Sequence, residues 1–218
     1  MGFFDVPPPP EPEPHERHRS PAWFGPPENI LGGVAPLRVV LARTERVAVA
    51  AIGASAYPQG VSFDVVVRAR PGPDAEADLF DPFGHHQHHR RRRGEPWPPA
   101  DVLRFGVAWP DGRSATTLGP RRWPGPDEPE APEGPLLQQR GGGGGGLSWS
   151  IGLWLWPLPP PGTIDFVCEW PSEQIPETRV AVETAPLLEA AARAETLWPE
   201  EGDSPPGGSS FQFVRSSR

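Results

Sequence analysis

Residues 46–69, RVAVAAIGASAYPQGVSFDVVVRA, decide what kind of fold this chain can form. In 61–70, Val61, Phe63, Val65 and Val67 fall on one side of an extended chain, and Ser62, Asp64 and Arg68 on the other. A period of two marks a strand with one buried face. Residues 46–56 make a second run rich in Val and Ala. Between the two, Tyr57-Pro58-Gln59-Gly60 supplies turn residues, since Pro fixes φ and Gly accepts φ > 0. The stretch predicts an antiparallel hairpin with a four-residue loop.

The same period recurs on both sides of it. Residues 37–43 read as a strand ahead of the hairpin. Residues 102–109 place Leu103, Phe105, Val107 and Trp109 on one face, and Pro110-Asp111-Gly112 then turns the chain into a strand over 113–118. In 147–156, Trp149, Ile151, Leu153 and Leu155 alternate with Ser150, Gly152, Trp154 and Trp156. In 163–170, Ile164, Phe166, Cys168 and Trp170 alternate with Asp165, Val167 and Glu169, and 177–184 follows with Thr178, Val180 and Val182. After Pro186 the period lengthens. Leu187, Leu188, Ala191 and Ala192 then form the apolar stripe of one short helix over 186–195. At Trp109, Trp156 and Trp170 the next residue is Pro, which cannot donate to a ladder, so each Trp-Pro reads as a strand's end.

Seven or eight strands, one short C-terminal helix and no β-α-β alternation predict an all-β fold. An antiparallel β-sandwich of immunoglobulin-like type is the best match by strand count. The chain of 218 residues holds 34 Pro and 25 Gly, a share typical of low-complexity sequence. They concentrate in four segments, which predicts a Pro-rich disordered N-terminal arm over 1–36 and a single domain over 37–198. Disordered insertions are expected at 71–101 and 119–146, with a disordered tail over 199–218. The run Gly141 to Gly146 argues for the second insertion, because six glycines lose much entropy on ordering.

The segment Leu155-Trp156-Pro157-Leu158-Pro159-Pro160-Pro161-Gly162, followed by Phe166-Val167-Cys168-Glu169-Trp170-Pro171 and Ile175-Pro176-Glu177-Thr178, resembles a group of uncharacterised actinobacterial β-rich proteins. Arg43-Thr44-Glu45-Arg46-Val47-Ala48-Val49 is similar to the same group's first strands. The resemblance implies a small β protein and brings no activity with it. The absence of Lys and the single Asn, Asn29, agree with a GC-rich bacterial origin.

Composition removes several chemistries. All twenty basic residues are Arg, so no Walker A loop, Schiff base or Ser-Lys dyad is available. The six histidines, at 15, 18, 85, 86, 88 and 89, lie in segments expected to be disordered, which leaves the core without a Ser-His-Asp, Cys-His or zinc arrangement. His85-His86-Gln87-His88-His89 has metal-chelating side chains, but Arg90 to Arg93 beside it repel a cation, and a solvated low-complexity run is the plainer reading. That Arg run has no interleaved aromatics, and the net charge of −8 works against nonspecific binding to nucleic acid or an anionic membrane. Cys168 is the sole cysteine, so no internal disulfide forms, and its apolar neighbours predict a buried, inert thiol. Asp165 and Glu169 share one face of one strand about 13 Å apart, too far for paired carboxylate catalysis. A cross-strand Glu169–Arg179 pair is expected instead. No signal peptide and no membrane span is evident, which gives a cytoplasmic location by default.

One feature stands out as a candidate site. Trp154 and Trp156 lie on the face of 147–156 opposite Ile151, Leu153 and Leu155, so this strand is apolar on both sides. The plain expectation is that the C-terminal helix or Trp198 covers the two indoles; the sharper one is an exposed aromatic surface for a sugar or a protein. The sequence thus predicts no catalytic, cofactor or metal residues. It predicts a non-enzymatic binding or interaction protein whose partner is another protein rather than nucleic acid or membrane. A small carboxylate-dependent hydrolase and a carbohydrate-binding module are the alternatives.

Overall fold

A computed structural model describes residues 20–71, 100, 102–119 and 131–198. These residues are mostly β, with one short helix. The strands are β1 (Ile30–Leu31), β2 (Gly33–Ala35), β3 (Val39–Arg43), β4 (Val47–Tyr57), β5 (Gly60–Ala69) and β6 (Arg104–Ala108). They continue with β7 (Ser114–Thr116), β8 (Leu136–Gly145), β9 (Ser148–Trp156), β10 (Thr163–Trp170), β11 (Ile175–Glu183) and β12 (Glu195–Thr196). The helix α1 spans Ala185–Ala192.

The strands form two larger antiparallel sheets. One runs β2-β4-β5-β9-β8, with β3 also paired to β4; the other runs β11-β10-β6-β7. A third ribbon, β1-β12, ties the start of the described chain to its end. Val61, Phe63, Val65 and Val67 of β5 are buried, as are Ile164, Phe166, Cys168 and Trp170 of β10. The two sheets meet through them: the Phe63 and Phe166 rings lie edge-on with centroids 5.2 Å apart, and Phe105 of β6 adds a second edge contact to Phe166 at 6.2 Å. Full burial of each such side chain contributes about 1.5–3 kcal/mol. Alternation thus chose the buried face correctly on β5, β6, β9 and β10.

Several expectations need correction. The hairpin closes more tightly than predicted, because Tyr57 pairs directly with Gly60 and only Pro58 and Gln59 remain as the loop. The folded part begins before residue 37: β1, β2 and a buried Trp23 all lie within the supposed arm. The supposed insertion over 119–146 contains β8, and the glycine run supplies half of that strand. Glycine is required at several of these positions rather than merely tolerated. A Cβ on Gly144 would overlap the Ser148 carbonyl oxygen and lie 2.6 Å from the Trp149 Cα. Gly146 holds φ 55° at the first position of the two-residue turn into β9, where a left-handed residue is needed. The strand's order comes from pairing with β9, which supplies the hydrogen bonds that offset the entropy lost. Residues 1–19, 72–99, 101, 120–130 and 199–218, with the histidines and the Arg run, lie outside the described residues.

The helix buries Leu187, Ala190 and Ala191, one step round from the predicted stripe, and leaves Ala192 exposed. It packs on β2 and β4, where Gly33, Ala35, Ala54 and Ala56 leave room for it. At Gly33 a Cβ would land on the Ala190 carbonyl oxygen. Thr184, fully buried just before the helix, shares its hydroxyl donor between Pro160 O at 2.9 Å and Gly162 O at 3.0 Å. Arg193 Nη2 donates to Val34 O at 3.1 Å, so the residue after the helix occupies a carbonyl on an edge strand. Among the described residues no helix is long and apolar enough to cross a membrane.

Candidate functional site

The outward face of the β2-β4-β5-β9-β8 sheet carries the features that set this molecule apart. Residues directly opposite in an antiparallel ladder share a face. The registers therefore give four outward rows. They are Arg43-Ala48-Arg68-Ser148-Gly145, Val40-Ala50-Val66-Ser150-Gly143, Gly53-Asp64-Gly152-Arg140 and Val34-Ser55-Ser62-Trp154-Gln138. Ile52 joins this face through a bulge in β4, where the register shifts between Ala51 and Gly53.

One half of the face is covered by the chain itself. Residues 20–25 lie across β8 and β9 as a strap. Trp154 Nε1 donates to Ala22 O at 3.2 Å, and Gln138 Nε2 donates to Trp23 O at 3.1 Å. The Arg140 guanidinium stands over the Phe24 ring at 4.4 Å, a cation–π contact. Tyr57 meets Trp154 edge-on at 5.7 Å from the other side. Burial, and secondarily the Asp64 charge, raises the Tyr57 hydroxyl above its ordinary pKa. Trp154 is 0 % exposed as a result.

This corrects the aromatic-surface expectation. Trp154 is not exposed, and neither the C-terminal helix nor Trp198 is what hydrogen-bonds to it; the strap is. Trp156, paired across from Leu136, is half-buried, and Trp198 is itself exposed. The two indoles therefore do not form an open platform. The strand needed two apolar faces because one packs into the main core and the other under the strap, a pairing 132 residues apart in sequence.

The other half of the face is open, and apolar apart from the exposed Arg43, Asp64 and Arg68. Val34 is 72 %, Val40 58 % and Ile52 53 % exposed, and Ala48, Ala50 and Val66 between them are half-buried. Sequence reading missed these residues. The signal lay in positions where alternation calls for a polar side chain and finds Ala48, Ala50, Ile52 and the middle valine of Val65-Val66-Val67.

The opposite outward face, on β11-β10-β6-β7, is charged and internally paired. Arg104 Nη1 meets Glu169 Oε2 at 2.7 Å across β6 and β10. Arg179 Nη2 meets Glu177 Oε1 at 2.8 Å, and its Nη1 stands 4.0 Å from Asp165 Oδ2. The expected Glu169–Arg179 pair does not form, because the register sets Arg179 opposite Val167 and Arg104 opposite Glu169. Asp165 and Glu169 thus each have an arginine partner. Cys168 is buried, and desolvation pushes its thiol up to about 12, which leaves it protonated and unreactive. Among the described residues no group of three His, Cys, Asp or Glu is placed to hold a metal ion.

No protein-family model matches this chain, and neither a curated protein nor a solved structure matches it.

Proposed function

We propose that the chain is a non-enzymatic interaction protein built on an immunoglobulin-like β-sandwich, and that the open half of the six-stranded face is its contact surface for another protein. Strand order supports the fold assignment. The order β4-β5-β9-β8 on one sheet and β7-β6-β10-β11 on the other corresponds to A-B-E-D and C′-C-F-G of that topology, with β4 to β11 as its eight strands. The inter-sheet contact between the B and F positions, a disulfide in antibody domains, is here the Phe63–Phe166 ring pair. The likeness to actinobacterial β-rich proteins agrees with this reading and adds no activity to it.

The observation that carries the functional reading is the contrast between the two outward faces. On the charged face Arg104 and Arg179 pair with acidic neighbours, the first across strands and the second along its own strand, while the six-stranded face exposes Val34, Val40 and Ile52. A contiguous exposed apolar patch on a folded domain marks an interaction site. Capture of binding proteins from a bacterial extract, with the wild type and with a Val40→Asp/Ile52→Asp variant side by side, tests it. The reading expects at least one bound protein to be lost in the variant while the fold, followed by far-ultraviolet circular dichroism, is unchanged. Identical bound sets from both forms would refute it.

A further inference from the structure

We infer that the protein this face receives is a second copy of the chain, stacked sheet to sheet about a two-fold axis that passes over Val66. The inference rests on the reading of this face as a contact surface and names its occupant. Shape comes first. The central row, Val40-Ala50-Val66-Ser150-Gly143, has no side chain larger than valine, and the neighbouring row contributes two glycines, Gly53 and Gly152. A face this flat complements another flat face, and two sheets stack at about 10 Å.

Charge then selects a copy of itself. On β5, Asp64 and Arg68 point outward two residues to either side of Val66, each about 7 Å along the strand from it. Both are exposed. Among the described residues Asp64 forms no ion pair, and Arg68 donates only to backbone carbonyls, Val67 O at 3.0 Å and Trp149 O at 3.1 Å. A two-fold axis lying in the contact plane, perpendicular to β5 at Val66, reverses the strand direction. It sets Arg68 over the partner's Asp64 and Asp64 over the partner's Arg68, so one operator makes two ion pairs. It also sets Val66 on the partner's Val66 and Ala50 on the partner's Ala50. Isologous contacts need this self-complementarity.

The operator sets the overlap. From Val66 β5 runs three residues one way and six the other, and from Ala50 β4 runs three and seven, so about seven residues of each strand face the partner. With the flanking strands this gives a patch about 19 Å by 23 Å, roughly 450 Å² per copy, the size of a weak interface. A weak dimer, with a dissociation constant on the order of tens of micromolar, is the expectation for such an interface.

Sedimentation equilibrium of the full chain at about 100 μM, above the affinity an interface of this size supports, reads the oligomeric state directly. The wild type should be a dimer. Asp64→Arg should weaken dimerisation about a hundredfold, because it sets two arginines against each other twice. The double variant Asp64→Arg/Arg68→Asp should recover wild-type affinity to within about threefold, because the pairs re-form with signs exchanged. Asp64→Arg leaves the Arg68 backbone contacts in place, and far-ultraviolet circular dichroism of both variants checks that the hairpin is intact. A wild-type monomer at this concentration overturns the inference, as does a dimer that Asp64→Arg leaves intact or that the double variant does not restore. Any of these failures leaves the capture experiment to decide separately whether the face binds anything at all.

Discussion

Gly143 and Gly144 are chemically identical neighbours in one run of six glycines, and the structure predicts opposite responses to the same substitution. At Gly143 a Cβ meets nothing within 4 Å, and φ lies outside the left-handed region. Gly143→Ala should therefore stabilise by about 0.4–1 kcal/mol, through the smaller number of conformations open to the unfolded chain. At Gly144 the Cβ would overlap the Ser148 carbonyl oxygen and lie 2.6 Å from the Trp149 Cα and 2.8 Å from its Cγ. The first two are backbone atoms of the paired strand, which no rotamer change can move. Gly144→Ala should destabilise by about 2–3 kcal/mol, the upper part of the range for overpacking. Urea unfolding followed by tryptophan fluorescence measures both, with equal m-values as the check that the unfolded states match. In thermal melts the pair should separate by several degrees, at about 2–4 °C per kcal/mol for a chain of this size. Equal effects of the two substitutions would refute the reasoning, since they would mean that β8 is not seated against β9 in this register.

Trp154→Ala should lower stability by about 3–5 kcal/mol, since it removes a fully buried indole and its bond to the strap, while Trp156→Ala at a half-buried site should cost less than about 2; urea titrations compare them. Limited proteolysis of the Trp154→Ala chain should also show faster cleavage within residues 20–25 than in the wild type. Thr184→Val keeps the shape of a fully buried side chain but removes the donor to Pro160 O, for an expected loss of about 1–3 kcal/mol by denaturant unfolding. The Cys168 thiol is raised by burial to about 12, above its ordinary value of 9.0, so the folded chain keeps a proton that the unfolded chain releases. Stability from this group is complete below about pH 9 and declines as pH rises towards 12, and Cys168→Ala should flatten that decline in melts across this window.

The resemblance between sequence pattern and fold was strongest where one face of a strand is buried. In β5 and β10 the period of two is a direct consequence of pleating, so Val61 to Val67 and Ile164 to Trp170 declared both the strand and its inner face. The Trp-Pro steps at 109, 156 and 170 marked strand ends for an equally local reason, the missing amide hydrogen of proline. Composition alone also removed lysine-dependent chemistry, and alternation put Cys168 inside.

Whatever depended on a distant partner was settled only by tertiary structure. The glycine run has no side-chain pattern, so its order comes from pairing with β9 beside it. The strap's acceptor, Ala22 O, lies 132 residues from the donor on Trp154, and nothing in Ala22-Trp23-Phe24 names the strand it crosses. Arg104 rather than Arg179 took Glu169 because pairing register across three strands fixed who stood opposite whom. The open apolar face exists because β3, β4 and β5 were brought edge to edge, which turned Val40, Ala50, Ile52 and Val66 from scattered exceptions to alternation into one surface. Local pattern sets which way a side chain points; only the assembled sheet sets what it points with.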